Sequence, residues 1–261
     1  MNKQSYRRIA FTLAEVLITL TIIGVVAAMT IPTLMKNVQN QQYVTSLKKA
    51  YTTTNQALQQ MALDYGCSGD LKCTGLFAST GTSHLTLGTA LVKYFKVTKD
   101  CTNQNNQGCL SDVTNYYYDG SYTGASPANP DYDALYSAYK FITADGMSFY
   151  IFNYMNNCDT PTWSTGRTGN MTQTCGIVLI DVNGLKKPNT LGRDTFYFFI
   201  SNGKGALLYP WGGADDNYDW AAYTDGWWNN GSGVARRCLP SYKWGTQCAG
   251  RIMEEGWQMN Y

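Results

Sequence analysis

Hydrophobic and polar positions divide the chain into three regimes. Residues 1–10, MNKQSYRRIA, are polar and basic. Residues 11–31, FTLAEVLITLTIIGVVAAMTI, are apolar throughout except for one charge, Glu15, and scattered threonines. A helix of that length rises about 30 Å, the thickness of a bilayer core. Beyond Pro32 the apolar residues thin to a stripe: Val44, Leu47, Tyr51, Thr54, Leu58, Met61 and Tyr65. Their alternating spacing of three and four is one face of a helix. The pattern predicts a single long helical element over 11–66, of which 11–31 is the transmembrane part. It would span about 80 Å at 1.5 Å per residue. Pro32 should bend it, and Gly66 should end it. The stripe could serve an independent coiled coil or pack on the chain's own globular part; the second is simpler and is preferred.

From residue 67 the helical period is lost. A short helix is expected at roughly 86–97, from Leu85, Leu87, Leu91, Val92, Tyr94 and Phe95. Residues 115–137, rich in Tyr, Gly, Pro, Asp and Ser, suggest an irregular connection. Strand signals start at 139. Residues 139–143 and 147–153 flank Ala144-Asp145-Gly146, a hairpin turn signal. Runs at 176–182, 195–201 and 206–209 complete five short strands, the last pair joined by Asn202-Gly203-Lys204-Gly205. Hairpin-joined strands give an antiparallel sheet, with one face on the amphipathic half of the long helix. The fold class is α+β, with a globular domain over 67–261. The tail 210–261 reads as loop-like, with one short helix at 249–255.

Charge excludes some functions. The net charge is +2, too small for a nucleic-acid footprint. Lys3, Arg7 and Arg8 supply three positive charges before residue 11, which leaves residues 11–261 at −1. The basic leader predicts that the first ten residues stay cytoplasmic and the rest crosses the membrane. With one histidine, His84, a multi-histidine metal site is impossible. His84 is expected to be a surface residue at a helix start.

Eight cysteines are present, an even number with no CxxC spacing, which argues against zinc and thioredoxin-like chemistry. An export route makes disulfides the better reading. Short separations and intervening turn formers favour neighbour pairing: Cys67–Cys73, Cys101–Cys109, Cys158–Cys175 and Cys238–Cys248. Cys238 could instead reach the sheet.

Glu15 is the informative residue of the apolar run. A carboxylate in a membrane span costs roughly 2.5–3.5 kcal/mol on insertion scales and is rarely idle. An ordinary signal anchor with a snorkelling Glu15, or a secretory signal cut near Ala27-Ala28, would also fit the hydropathy. The sequence Ala10-Phe11-Thr12-Leu13-Ala14-Glu15-Val16-Leu17-Ile18 resembles the processing site of type IV pilins and type II secretion pseudopilins. The resemblance implies cleavage by a membrane prepilin peptidase between Ala10 and Phe11, and N-methylation of Phe11. Glu15 matches the family's glutamate four residues beyond the Phe, and Pro32 matches its helix-bending proline. Ala10 stands where Gly is usual. The resemblance covers about 25 residues; beyond them the chain shares only the family's order of elements, a long helix, a loop region and an antiparallel sheet.

The resemblance implies a structural subunit, not an enzyme, in a type IV pilus or a secretion pseudopilus. Its length favours a minor subunit. Expected partners are the inner membrane, the prepilin peptidase and other pilin-like subunits. The expected location is a single-pass inner-membrane precursor with its domain outside the cytoplasm, then a surface filament or a periplasmic pseudopilus. In such an assembly a free Phe11 amine and the Glu15 carboxylate of neighbouring subunits would offset each other's burial.

Two further stretches are candidates. Asp181, Asn183 and Asp194, at the ends of the loop 181–194, offer oxygens that suit calcium, and some pseudopilins bind calcium in this part of the fold. Lys186, Lys187 and Arg193 oppose a cation, and a plain turn explains the same residues. The Trp-rich tail, with Trp211, Trp220, Trp227, Trp228, Trp244 and Trp257, could alternatively make the protein a membrane-anchored surface-binding module. No nucleotide loop or serine-hydrolase elbow occurs.

Overall fold

A computed structural model of the chain describes residues 12–78, 83–103, 108–109, 138–153, 156–159, 173–202, 207–210, 238, 245 and 248–261. Helix α1, Leu13–Asp64, is one continuous element of 52 residues. It runs through Pro32, whose missing N–H removes one intrahelical bond without ending the helix. Its end is built by the residues after Asp64. Gly66 takes φ +72°, its N–H bonds to Leu63 O at 2.9 Å, and the Cys67 N–H bonds to Ala62 O at 2.8 Å. These are the two bonds of a Schellman cap, which a side chain with a Cβ would strain.

Two compact units divide the chain, residues 1–42 and 43–261. In the first, the apolar side chains of α1 are exposed from Leu13 to Val38. In the second, the stripe of α1 is buried: Val44, Leu47, Thr54, Leu58 and Met61 join the core. Tyr43, Ala50, Ala57 and Ala62 widen that stripe. Tyr65 departs from the sequence expectation; one residue past the helix, it is 46% exposed. Thr54 is fully buried, and its hydroxyl donates to Ala50 O at 2.7 Å, so the polar atom is satisfied on the helix itself.

The sheet has six strands in the order of the chain, all antiparallel: β1 Val97–Thr102, β2 Tyr139–Thr143, β3 Ser148–Phe152, β4 Thr174–Asp181, β5 Thr195–Ser201 and β6 Leu208–Pro210. Five of these are the expected strands within a residue or two. β1 is the one that sequence reading missed. Its residues, VTKDCT, are polar, and it is an exposed edge strand whose pairing with β2 is twice interrupted. Charged side chains and irregular register on an edge are common protections against pairing with other chains. The short helix is α2, Ser83–Leu91, followed by a 3₁₀ turn, Val92–Tyr94. Gly88 lets α2 approach β2, since a Cβ there would fall 1.9 Å from the Tyr139 ring. The tail helix is α3, Cys248–Glu254.

Both faces of the sheet are buried, although antiparallel sheets often leave one face wet. Phe141, Phe149, Ile151, Val178, Ile180, Phe196 and Phe198 lie in the core that holds α1. Tyr150, Phe152, Ile177, Leu179 and Phe199 form a second cluster with Leu191, and Tyr150 Oη donates to Cys109 O at 3.2 Å. The four disulfides pair as neighbours: Cys67–Cys73, Cys101–Cys109, Cys158–Cys175 and Cys238–Cys248. The expected connection 115–137 and most of the Asn202–Gly205 turn fall outside the described residues.

Side-chain amides complete the frame. Asn55 of α1 accepts from the consecutive N–H groups of Leu207 and Leu208, both at 3.0 Å, and so fixes the start of β6. Lys49 of α1 reaches Asp145 in the β2–β3 turn at 2.8 Å. The Asn55→Ala variant leaves two backbone donors without their acceptor and should lose about 1–3 kcal/mol. Denaturant unfolding of the detergent-solubilised protein measures this, and Asn55→Asp, which keeps an acceptor, should lose less.

Candidate functional site

The amino-terminal site begins at the first turn of α1. The Thr12 N–H donates to Glu15 Oε2 at 2.9 Å, and the Thr12 hydroxyl donates to the same oxygen at 2.8 Å. In return the Glu15 N–H donates to Thr12 Oγ1 at 3.2 Å. This is a capping box, Thr-x-x-Glu, in which two orphan donors of the helix start are satisfied reciprocally. Glu15 Oε1 takes part in neither bond. Further along the apolar half, the hydroxyls of Thr19, Thr21 and Thr30 donate to carbonyls one turn back. No threonine of that group needs an outside partner, which suits an apolar environment. Ala10 and Phe11 lie outside the described residues.

The second site is the loop between β4 and β5. Asp194 is fully buried, and its carboxylate is ringed by N–H donors. Oδ2 accepts from Asn183 Nδ2 and from the Asn189 N–H, both at 2.8 Å, and Oδ1 accepts from the Thr190 N–H. Asp181 is also buried, and its Oδ1 accepts from the Asn183 N–H at 3.2 Å. Burial pushes Asp194 up to about 6. Burial first, and then the charge of Asp194, hold Asp181 well above the ordinary carboxylate range. The structure therefore brings together the three residues expected to face a cation. The side chains of Lys186 and Lys187 are exposed.

Asn183 is the hub of this loop. Its Nδ2 also meets Lys187 O at 3.1 Å and the Tyr43 hydroxyl of α1 at 3.4 Å. Its Oδ1 is buried with no hydrogen-bond partner, as is Ser148 Oγ, directly across from Asp181 on β3. Gly184 backs onto the β2–β3 turn, where a Cβ would fall 2.0 Å from Gly146 O. Gly192, at φ +81°, touches the Cys248 sulfur in the same way, and its carbonyl accepts from Tyr261 Oη at 2.8 Å. The loop is thus tied to α1, to the sheet and to the carboxy terminus.

Of the aromatic tail, Trp211, Trp220, Trp227, Trp228 and Trp244 lie outside the described residues. Trp257 packs on Tyr51 of α1, with ring centroids 5.6 Å apart, and Lys48 Nζ sits 5.7 Å above it. His84 is at the start of α2 as expected but is buried, not on the surface. The reason is that α2 turns its first residues against the end of β3, where His84 accepts a backbone hydrogen bond from Asn153.

Sequence reading passed over three residues of these sites, Thr12, Tyr43 and Ser148. Thr12 was legible through the Thr-x-x-Glu signature. Tyr43 stands beside the stripe, one position before Val44, and nothing in its spacing pointed to the loop.

The apolar helix carries a single carboxylate in its first turn, is long enough to cross a membrane, and is followed by a disulfide-tied α+β unit, which fits a membrane-anchored precursor. Residues 6–31 match the family described as the prokaryotic N-terminal methylation motif. The chain thus carries the hallmark of type IV pilin and pseudopilin precursors. Neither a curated protein nor a solved structure matches the chain.

The Asp194 carboxyl yields a pH prediction. Its folded-state value lies above the unfolded value of 3.8. Its contribution to stability is therefore full below that value and is lost as pH rises through about 6. Between pH 4 and 6.5, Asp194→Asn should show a less negative slope of unfolding free energy against pH than the parent. Equal slopes would mean that Asp194 does not titrate there.

Proposed function

We propose that this protein is a structural subunit, and a minor one, of a type IV pilus or a type II secretion pseudopilus. On this reading the prepilin peptidase cuts between Ala10 and Phe11, Phe11 is N-methylated, and the subunit assembles through α1. The observation that carries the reading is the methylation motif at 6–31, continuous with a 52-residue helix whose apolar first half is exposed. That helix is long and apolar enough to cross a membrane. It fits storage of the precursor in the inner membrane with the domain outside the cytoplasm, where the four disulfides would persist.

The capping box supports a specific role for Glu15. In hydrocarbon an unpaired carboxylate is costly. Thr12 gives Oε2 two hydrogen bonds inside the subunit, and Oε1 remains to take the methylated Phe11 ammonium of a neighbour. The pair would fix the axial register of one helix against the next, because sliding separates the charges. Glu15→Ala should insert and be cleaved at the normal rate, yet enter filaments at least tenfold less. Mass spectrometry of the mature amino terminus and the sheared filament fraction check both halves. An intact leader would favour a membrane-anchored binding module, and a start near Ala28 an ordinary secretory signal.

We propose further that the loop 181–194 takes calcium through Asp181, Asn183 and Asp194. Two buried carboxylates, the unpartnered Asn183 Oδ1 and the unpartnered Ser148 Oγ fit the hard oxygens this ion requires. Asn183 would have to turn its amide oxygen toward Asp194. Calcium should raise the melting temperature by several degrees at pH 7 and have no effect at pH 4, where both carboxyls are protonated. Asp181→Asn should abolish the rise.

A further inference from the structure

The chain has a single histidine, and the fold puts it where protonation breaks a bond. His84 is the second residue of α2 and is 4% exposed. Its Nδ1 accepts the backbone N–H of Asn153, the residue after β3, at 2.7 Å. An imidazole nitrogen that accepts an N–H carries no proton itself. The tautomer is therefore fixed with the proton on Nε2. The ring stands edge-on to Phe152, with centroids 6.1 Å apart at 82°.

The same exit from β3 holds the segment that leads into α2. Asn153 Nδ2 donates to Leu76 O at 3.3 Å, and the Asn157 N–H donates to Phe77 O at 2.7 Å. Leu76 and Phe77 are buried in the main core. The bond from Asn153 to His84 joins these two, so that residues 76–77 and the start of α2 are both fastened at the exit of β3.

The surroundings resist a second positive charge. Among the described residues of α2, β3 and the 76–78 segment, no other side chain carries charge. From β2 the charge that acts on His84 is Lys140, itself buried, with Nζ on Ala138 O at 2.8 Å. Tyr150, across from Lys140 on β3, is titratable as well, and its hydroxyl donates to Cys109 O. On the other elements packed against α2, Tyr139 of β2 donates to Asp100 of β1 at 2.7 Å, and Lys93, Tyr94 and Lys99 complete the described titratable groups. Burial, and then the Lys140 charge, hold the His84 imidazole below its ordinary value of 6.5.

We propose that His84 is an acid-sensitive latch: neutral, it fastens the start of α2 to the exit of β3; protonated, it releases both. Protonation places a hydrogen on Nδ1 facing the Asn153 N–H, so the bond is lost and two donors oppose each other. It also sets an imidazolium beside Lys140 in a site with little water to screen it. The released region is local, since Gly88 and Leu87, further along α2, remain in the core contact with Tyr139. An exported domain meets the pH of its surroundings directly, so the latch would report acidification outside the cytoplasm.

Because the chain has one histidine, nitrogen-15 NMR of the full-length protein in micelles reads this site without assignment ambiguity. The expected spectrum at pH 7.5 is that of the Nε2–H tautomer, with a titration midpoint below 6.5. Hydrogen exchange, corrected for intrinsic rates, should show protection of the Asn153 and α2 amino-terminal amides falling at least tenfold between pH 7.5 and 5, with the same midpoint. His84→Asn places an amide oxygen near the position of Nδ1 and does not titrate; its protection should stay constant over that range. A Nδ1–H tautomer, a midpoint at or above 6.5, pH-independent protection in the parent, or an acid loss that persists in His84→Asn would each overturn the latch. The titration of the unmutated chain decides the question even if the variant does not fold.

Discussion

Burial of the α1 stripe is the constraint on which the globular unit depends. Leu47, Leu58 and Met61 have no exposed surface, and they share one core cluster with residues of β2 to β5. Each such side chain contributes roughly 1.5–3 kcal/mol through burial alone. The polar ties are arranged around this contact. Asn55 reaches β6, Lys49 reaches the β2–β3 turn, and Tyr43 reaches the β4–β5 loop. Three turns of one helix thus set the position of three separate parts of the sheet. The C-terminal segment closes the arrangement through Trp257 on Tyr51 and Tyr261 on Gly192.

The second buried face explains the composition of the strands. β3, SFYIF, and β4, TCGIVLID, show no alternation, because every position along them is covered. A sheet wet on one face would have shown polar residues at every other position. Lys140 is the exception that tests this logic. It is 1% exposed, and burial draws it down to about 8. Its stem can pack with the apolar cluster while its ammonium is held by a backbone carbonyl.

Legibility followed the strength of local signals. The long helix, its glycine end, five strands and four neighbour disulfides were readable because each rests on contacts close in sequence. β1 was not, because an edge strand with polar side chains has neither the composition nor the period of a buried one. The burial of His84 was not readable either. It depends on a backbone N–H 69 residues away, and backbone donors leave no trace in composition. At the candidate loop, the oxygens of Asp181, Asn183 and Asp194 were visible as residue types. That N–H groups already ring Asp194 was visible only in three dimensions.

Glu15 shows how one residue can satisfy successive environments. A carboxylate in an apolar run looks like a defect when its only partner belongs to another subunit, since the precursor must exist before any neighbour does. The capping box removes that difficulty. The first N–H groups of any helix lack partners, and in a bilayer each unsatisfied group is costly. Placing the acid three residues after Thr12 lets each deficit answer the other, and the helix dipole adds to the attraction. The arrangement consumes only Oε2 of the carboxylate, so it need not be dismantled for a cation to approach Oε1. In the proposed assembly a neighbour's ammonium would add a partner to a carboxylate that is already hydrogen-bonded within its own chain. On this argument Thr12 belongs with Glu15, because its hydroxyl caps the helix and, by holding Oε2, orients the carboxylate whose Oε1 the proposed neighbour would meet.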